Sequence, residues 1–308
     1  MRRDIFDSWT MFTIQSQSLK LELEILPVTS VFTHERLLAP IADRLTLEFR
    51  STAFLENPVI VDQNLIVLDG NHRVHVFRKL QFKYIAVCRI DYMREEARLR
   101  YWFRLLANVK SIDLLKRISE EFRGRFQYVR DKAALEKIMA ENFTCCGVQH
   151  GEVFGVLVFD QDVVEDAVST YDLLEKLQNR LVEEGIAVEY IPCQYAHKGE
   201  FCQCLTEEHV ILWTPQITKE MVVEAAKQER LFAPKTTRHL IPARPLHINT
   251  PTSWLREEVP LEVINQRFME HLRAKELRRL GPGQVINGRY YEEELFVFYD
   301  RKPSSFKE

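Results

Sequence analysis

Two short stretches of the chain concentrate groups that could do chemistry. In the run VDQNLIVLDGNHRVHVFRKL, Asp69-Gly70 ends an apolar strand and Asn71-His72-Arg73 opens a helix. A helix start presents unpaired backbone N–H groups and the positive end of the helix dipole, so it suits a phosphate. Gly70 allows close backbone approach, and Arg73 supplies a fork of donors for an anion. The pattern is neither a P-loop nor a full glycine-rich fingerprint, and taken alone it favours a plain turn with an N-cap. The second stretch is Thr236-Thr237-Arg238-His239, between Pro234 and Pro242. A polar loop there needs no function. Yet four polar side chains in an otherwise apolar, proline-bounded segment would suit a zwitterion, because a loop can aim them inward.

Other residues carry weaker signals. Glu35, which follows His34, reads by itself as a solvated carboxylate at a helix start, where an acid suits the dipole. Trp102 reads as a core anchor on an amphipathic helix. The six cysteines do not make a disulfide scaffold in a chain of 308 residues. Cys193, His197, Cys202 and Cys204 cluster, but C-x-C with a distant third cysteine fits zinc spacing poorly. Cys88 sits in an apolar run and reads as a small buried hydrophobe.

The elements that must position these residues follow from periodicity. Leu19–Val28 alternates as a strand, and His34–Phe49 has helical spacing that Pro40 must kink or split. NPVIVD and NLIVLDG give two short strands around an Asp62-Gln63 turn, then NHRVHVFRKLQF turns helical and YIAVCRIDY is a strand. Arg94 to about Phe122, without Pro or Gly, reads as one long helix or two short ones linking two halves. A second α/β region follows. It has the helix DKAALEKIMAEN, a hairpin from FTCCGV to VFGVLVFD, a long helix ended by Gly185, and the strand IAVEYIPC. HVILWTP reads as a strand, ITKEMVVEAAKQERL as a helix and FAPKTTRHLIPARPLHI as irregular. A last helix over about 261–280 stops at Gly281-Pro282-Gly283, before the strand ELFVFYD.

Apolar residues are 46% and charged residues 28%, ordinary for a folded protein with a sizeable core. With 42 basic and 45 acidic residues, the formal net charge is −3. That speaks against a whole-protein electrostatic grip on nucleic acid or anionic membrane. There is no run of about 18 apolar residues, and no apolar leader follows MRRDIFDSW. A cytoplasmic protein is expected.

A strand, then D-G-x-H-R opening a helix, after an N-P-V-I-V-D strand, resembles the ParB/sulfiredoxin fold, whose corresponding turn holds nucleotide phosphates. Sulfiredoxin carries a catalytic cysteine just before the His-Arg pair, where this chain has Asn71. The thiolate needed for sulfinic-acid repair is therefore missing. The G-E-R-R type box and basic helix-turn-helix domain of the ParB partition proteins are also missing. The match is closer to a third branch, the free L-serine kinases, both ADP-dependent and ATP-dependent. These place a His-Glu pair ahead of the phosphate turn, with the Glu catalytic, as His34-Glu35 stands here. They also carry an S/T-T-R-H segment late in the chain, matched by Thr236-Thr237-Arg238-His239, and a tryptophan matched by Trp102. The helix after Glu35 departs from the family, which often has a substrate-contacting Ser where Glu48 stands. The resemblance runs from about residue 20 to about 250, and the tail beyond Trp254 matches no functional element.

The resemblance implies an α/β architecture: a ParB/sulfiredoxin-like nucleotide-binding domain over residues 1–100, then a helical connector and an α/β substrate domain over 101–308, with an active-site cleft between them. It implies a kinase taking ATP or ADP and giving O-phospho-L-serine. Asp69, Gly70, Asn71, His72 and Arg73 would cradle the phosphates, with Mg²⁺ near Asp69. Glu35 would take the serine proton as general base. Arg238 would meet the serine carboxylate, Thr237 and His239 would add hydrogen bonds, and Trp102 would wall the pocket. A ParB-like DNA-binding regulator and a kinase of another small hydroxyl compound are the alternative readings.

Overall fold

The computed structural model describes residues 11–17, 19–194 and 204–301. His197 and Cys202 of the cysteine-rich stretch lie outside the described residues. The chain forms two compact units, one comprising Met1–Thr33, Leu37–Arg98 and Leu240–Glu308, the other His34–Arg36 and Leu99–His239. The sequence suggests a single division after residue 100. The contacts divide the chain further, returning Leu240 onward to the first unit and giving His34–Arg36 to the second.

The first unit begins with β1 (Phe12–Gln15) and β2 (Lys20–Pro27), paired antiparallel. Next comes α1 (Ala39–Ser51), which carries Pro40 in its first turn instead of being kinked by it. Proline has no N–H to lose in a first helical turn, so His34–Leu38 stays outside the helix. β3 (Phe54–Leu55), β4 (Val59–Val61), β5 (Val67–Asp69), α2 (Asn71–Lys79) and β6 (Tyr84–Arg89) follow. The Asp62 carboxylate accepts the N–H groups of Asn64 and Ile66, both at 2.8 Å, which closes the turn between β4 and β5. The sheet order is β1-β2-β6-β4-β5, with β4 and β6 parallel and the other pairs antiparallel. Phe77 of α2 is fully buried against Phe49 of α1 and stacks on Phe82 at 4.1 Å. Burial of a ring that size contributes about 1.5–3 kcal/mol.

In the second unit, β7 (Arg98–Ala107) is a ten-residue strand where a helix is expected. Tyr101, Trp102 and Phe103 favour the pleated surface, and the absence of Pro and Gly says nothing against a strand. Then come α3 (Ile112–Glu121), β8 (Gly124–Val129), α4 (Lys132–Glu141), β9 (Cys145–His150), β10 (Val153–Phe159), α5 (Ala167–Glu183), β11 (Ala187–Pro192), β12 (Val210–Trp213), α6 (Lys219–Lys227) and β13 (Thr237–Leu240). The sheet runs β11-β7-β12-β9-β10-β8, and β13 also pairs with β7. Side chains alternate across β7. Phe103 and Leu105 enter a core with Leu135, Met139 and Trp213, so Trp102 and Arg104 share the opposite face. Asp166 and Ser169 form a capping box at the start of α5, and Gly185 at φ 83° follows its end.

The chain returns to the first unit through β14 (Ala243–Leu246), β15 (Thr250–Pro251), α7 (Leu261–Ala274), β16 (Lys275–Leu280), β17 (Gln284–Ile286), β18 (Arg289–Tyr291) and β19 (Glu294–Asp300). The segment 232–248, expected to be irregular, thus contains β13 and β14, and the last helix ends at Ala274. Residues 275–280 are held extended by antiparallel pairing with β19, which also pairs parallel with β14. Among the described residues, no helix is long and apolar enough to cross a membrane.

Candidate active site

In the second unit, Glu35 is held by backbone and side chain together. The Arg36 N–H bonds the Phe232 carbonyl at 2.8 Å, and the Phe232 N–H bonds the His34 carbonyl at 2.9 Å. Arg36 also forms ion pairs of 2.6 Å with Asp172 and Glu175 of α5. These contacts bring Glu35 to the segment leading into β13. Its Oε1 accepts the Lys235 N–H at 2.7 Å, and its Oε2 accepts the Thr237 N–H at 3.0 Å and the Thr237 hydroxyl at 2.7 Å. Burial pushes the Glu35 carboxyl above its ordinary pKa, and the Thr237 and Lys235 donors pull it back only in part.

His34 is fully buried behind this clasp, its Nε2 lying 2.9 Å from Thr237 Oγ1 and 3.3 Å from His239 Nε2. Thr237 has one hydroxyl proton, and it goes to Glu35. His34 must therefore donate to Thr237, giving a directed chain from imidazole to hydroxyl to carboxylate. The two imidazoles meet edge to face at 5.1 Å. Trp102, expected on a helix, sits on β7 and donates its indole N–H to the Thr237 carbonyl at 3.1 Å. Lys235 and Arg238 both lie over its ring, at 5.0 and 5.6 Å. Arg238 Nη1 is buried with no hydrogen-bond partner among the described residues. A guanidinium nitrogen in that state is costly unless something else supplies an acceptor.

Arg104 completes the cluster from the shared face of β7. It is 1% exposed and bonds Gln178 Oε1 at 2.8 Å, the Trp102 carbonyl at 2.8 Å and the Lys235 carbonyl at 3.1 Å. All three acceptors are neutral, and its guanidinium stacks on Tyr190 at 4.6 Å. The Lys235 peptide thus links Arg104 at its carbonyl to Glu35 at its N–H.

In the first unit, β5 ends at Asp69 and Gly70 caps α2 with φ 110°. A Cβ on Gly70 would meet Val59 and the Arg73 guanidinium at 2.9 Å, so both conformation and space demand glycine. Arg73 Nη1 donates to the carbonyls of Asn57 and Pro58 at 2.7 and 3.0 Å. Asp69 Oδ2 pairs with Arg244 at 2.5 Å and with Arg73 at 3.6 Å. Burial pushes the Asp69 carboxyl up, but the charges of Arg244 and Arg73 overcome this and hold it well below the carboxylate range. His72 Nε2 accepts the Leu38 N–H at 3.2 Å, so this ring also fixes the segment before α1. Asn71 Oδ1 is buried with no partner among the described residues. The turn borders a cavity of about 360 Å³, which Glu48 also lines. The described residues contain no group of three or more His, Cys, Asp or Glu side chains able to hold a metal ion. Cys193 is buried and Cys204 exposed, both as free thiols.

The sequence reading names Glu35, Thr237, Arg238, His239 and Trp102, and the structure gathers all five in one unit. It misses His34 as a contact, and also Lys235, Arg104 and Arg244. A lone arginine inside the apolar run IPARPLHI is the signal that marks Arg244.

No protein-family model matches the chain. An ATP-dependent L-serine kinase of Staphylothermus marinus is 27% identical over 252 residues, covering 77% of this chain and 92% of the relative. An ADP-dependent L-serine kinase of Thermococcus kodakarensis is 22% identical over 182 residues, 58% of this chain and 69% of the relative. The solved structure of a free serine kinase in complex with AMP covers 76% of this chain and 93% of its own, with TM-score 0.58 and 18% identity. This chain resembles the L-serine kinases. The likeness covers most of the S. marinus enzyme's length in sequence, and the AMP complex has the same α/β fold.

Proposed function

We propose that the protein transfers a phosphoryl group from ATP or ADP to the hydroxyl of free L-serine, giving O-phospho-L-serine. The observation that carries this reading is the convergence of Glu35 with Thr237-Arg238-His239, where Arg238 keeps a buried nitrogen without a partner. The likeness to L-serine kinases supports the same reading.

The second unit supplies the acceptor chemistry. The Arg238 fork meets the serine carboxylate, and Trp102 walls the amino acid from water. As the hydroxyl oxygen bonds to phosphorus and the bond from phosphorus to the nucleotide's leaving oxygen breaks, the hydroxyl proton passes to Glu35. A carboxylate with a raised pKa is a better proton acceptor, and a positioned general base contributes about 10²–10⁴-fold in rate. Lys235 and Thr237 hold the Glu35 oxygens in place.

The first unit supplies the phosphate chemistry through the α2 start, Gly70 and the arginines around Asp69. Asp69 is the residue that would hold a Mg²⁺ ion, which takes one or two carboxylates and fills its shell with phosphate oxygens and water. Both arginine pairs fall on Oδ2, so Oδ1 is the atom left for the ion, beside the positive charges of Arg244 and Arg73. Bound there, the ion would neutralise phosphate charge.

The decisive experiment incubates purified protein with Mg²⁺, ATP or ADP, and a panel of free amino acids. O-phosphoserine should form from L-serine. Its absence with both nucleotides would overturn the reading.

A further inference from the structure

The tail that matches no functional element in sequence reaches the phosphate cavity. Besides Asp69 and Arg73, the cavity is lined by Arg244 and by Arg289 and Tyr291 of the β17–β18 hairpin. The hairpin is fastened where it stands. Its turn uses Asn287 and Gly288 at φ 50° and 76°, and Asn287 Nδ2 reaches Glu56 Oε1 at 3.4 Å. Glu56 is itself paired with His247 at 3.1 Å, and the Gly283 N–H bonds the Tyr291 carbonyl at 2.9 Å.

The charges around the cavity are spent unequally. Arg244 is committed to Asp69 and to Glu293, and Arg73 to Asp69 and two backbone carbonyls. Arg289 differs. Its side chain is exposed and lies over the Tyr291 ring at 4.7 Å, with no ion pair among the described residues. Its charge nevertheless acts on both Asp69 and Arg73. Of the other acids lining the cavity, Glu56 is turned to His247 and Asn287, and Glu48 is exposed on α1. Among the described residues, Arg289 is thus the arginine of this cavity without an ion pair, and it shares the lining with Asp69 and Arg73.

We propose that Arg289 binds the phosphate groups of the nucleotide, making the β17–β18 hairpin part of the nucleotide site. This inference rests on the kinase reading above and adds a residue to it. The ligand chemistry it requires is a di- or triphosphate, since a neutral nucleoside gives Arg289 nothing to hold.

The test is calorimetric binding of ADP, ATP and adenosine to the full-length protein and to its Arg289→Gln and Arg289→Lys variants. Arg289 is exposed, so neither substitution disturbs a core. Arg289→Gln should weaken ADP and ATP by roughly tenfold or more, the scale of one lost charge-assisted contact. Arg289→Lys should recover part of that loss, and adenosine should bind all three proteins alike. Unchanged ADP and ATP binding in Arg289→Gln, or an equal loss for adenosine, would overturn the assignment and leave the kinase reading standing. If the unaltered protein bound neither ADP nor ATP, both would fall.

Discussion

Glu35 in the second unit and Asp69 in the first are both desolvated acids, and their surroundings act on them in opposite directions. Glu35 is clasped by two backbone N–H groups and a hydroxyl, none of them charged, and its pKa stays raised. Asp69 faces two guanidinium groups and is held far down. Neutral dipoles position a carboxylate and leave it basic, whereas cations position it and remove its basicity. The first kind of acid can take a proton during a reaction. The second can only hold charge and shape.

The largest expected effect tests the basic member of the pair. Glu35→Gln keeps the shape and loses the base, so kcat should fall by about 10²–10⁴-fold. Nucleotide affinity should be nearly unchanged, because the phosphate turn lies in the other unit. In the unaltered protein, activity should fall as pH drops through the raised pKa of Glu35, hence above the ordinary carboxylate range of about 4.3. A variant with near-normal kcat would end the role of Glu35 as base.

A smaller effect is expected beside it. Arg238→Lys loses a planar fork that an ammonium cannot reproduce, so KM for serine should rise roughly tenfold, with little change in KM for the nucleotide. Serine methyl ester should be a poor substrate of the unaltered protein for the same reason. Equal turnover of ester and serine, with serine KM unmoved by Arg238→Lys, would show that the carboxylate is read elsewhere.

The smallest effect concerns the charge-holding acid and is read in stability. A carboxyl whose folded pKa is depressed stabilises the fold above its unfolded value, about 3.9, and that contribution is lost as pH falls towards the folded value. Asp69→Asn should therefore lower Tm by a small, constant amount between about pH 5 and 8, because a carboxylate 38% exposed is partly screened by solvent. The gap should close progressively below about pH 4. A gap that persisted undiminished in acid would mean that Asp69 contributes through shape alone.

The same contrast explains what could be read from the sequence. Asp69 to Arg73 are neighbours in the chain, and strand, glycine and helix start announce their turn locally. Glu35 finds its partner Thr237 across 202 positions, so nothing local distinguishes it from a surface acid. Only the resemblance of the His-Glu and Thr-Thr-Arg-His pairs to a known family brings them together in advance. The strand Arg98–Ala107 was hidden because its Arg and Leu content suits a helix equally well, and its pairing with β11 and β12 decides the matter. Lys275–Leu280 continues a helical pattern in sequence, yet β19 holds it as a strand. Arg289 had no signature at all, since an isolated arginine near a glycine turn is ordinary surface composition.

The division of the chain has a consequence for its birth on the ribosome. By the time Leu240 is made, every residue of the second unit has been synthesised, whereas the first unit still lacks β14, α7 and β19. One of the missing partners is Asn265, whose side chain bonds both the N–H and the carbonyl of Ile25 in β2, at 2.8 and 2.9 Å. The strand β2 thus gains this partner only long after it is made. All five strands of that sheet are made by Arg89, but the α7 side chain that fastens β2 at Ile25 comes 240 residues after it, and until then the apolar strand β2 lacks this cover against other chains.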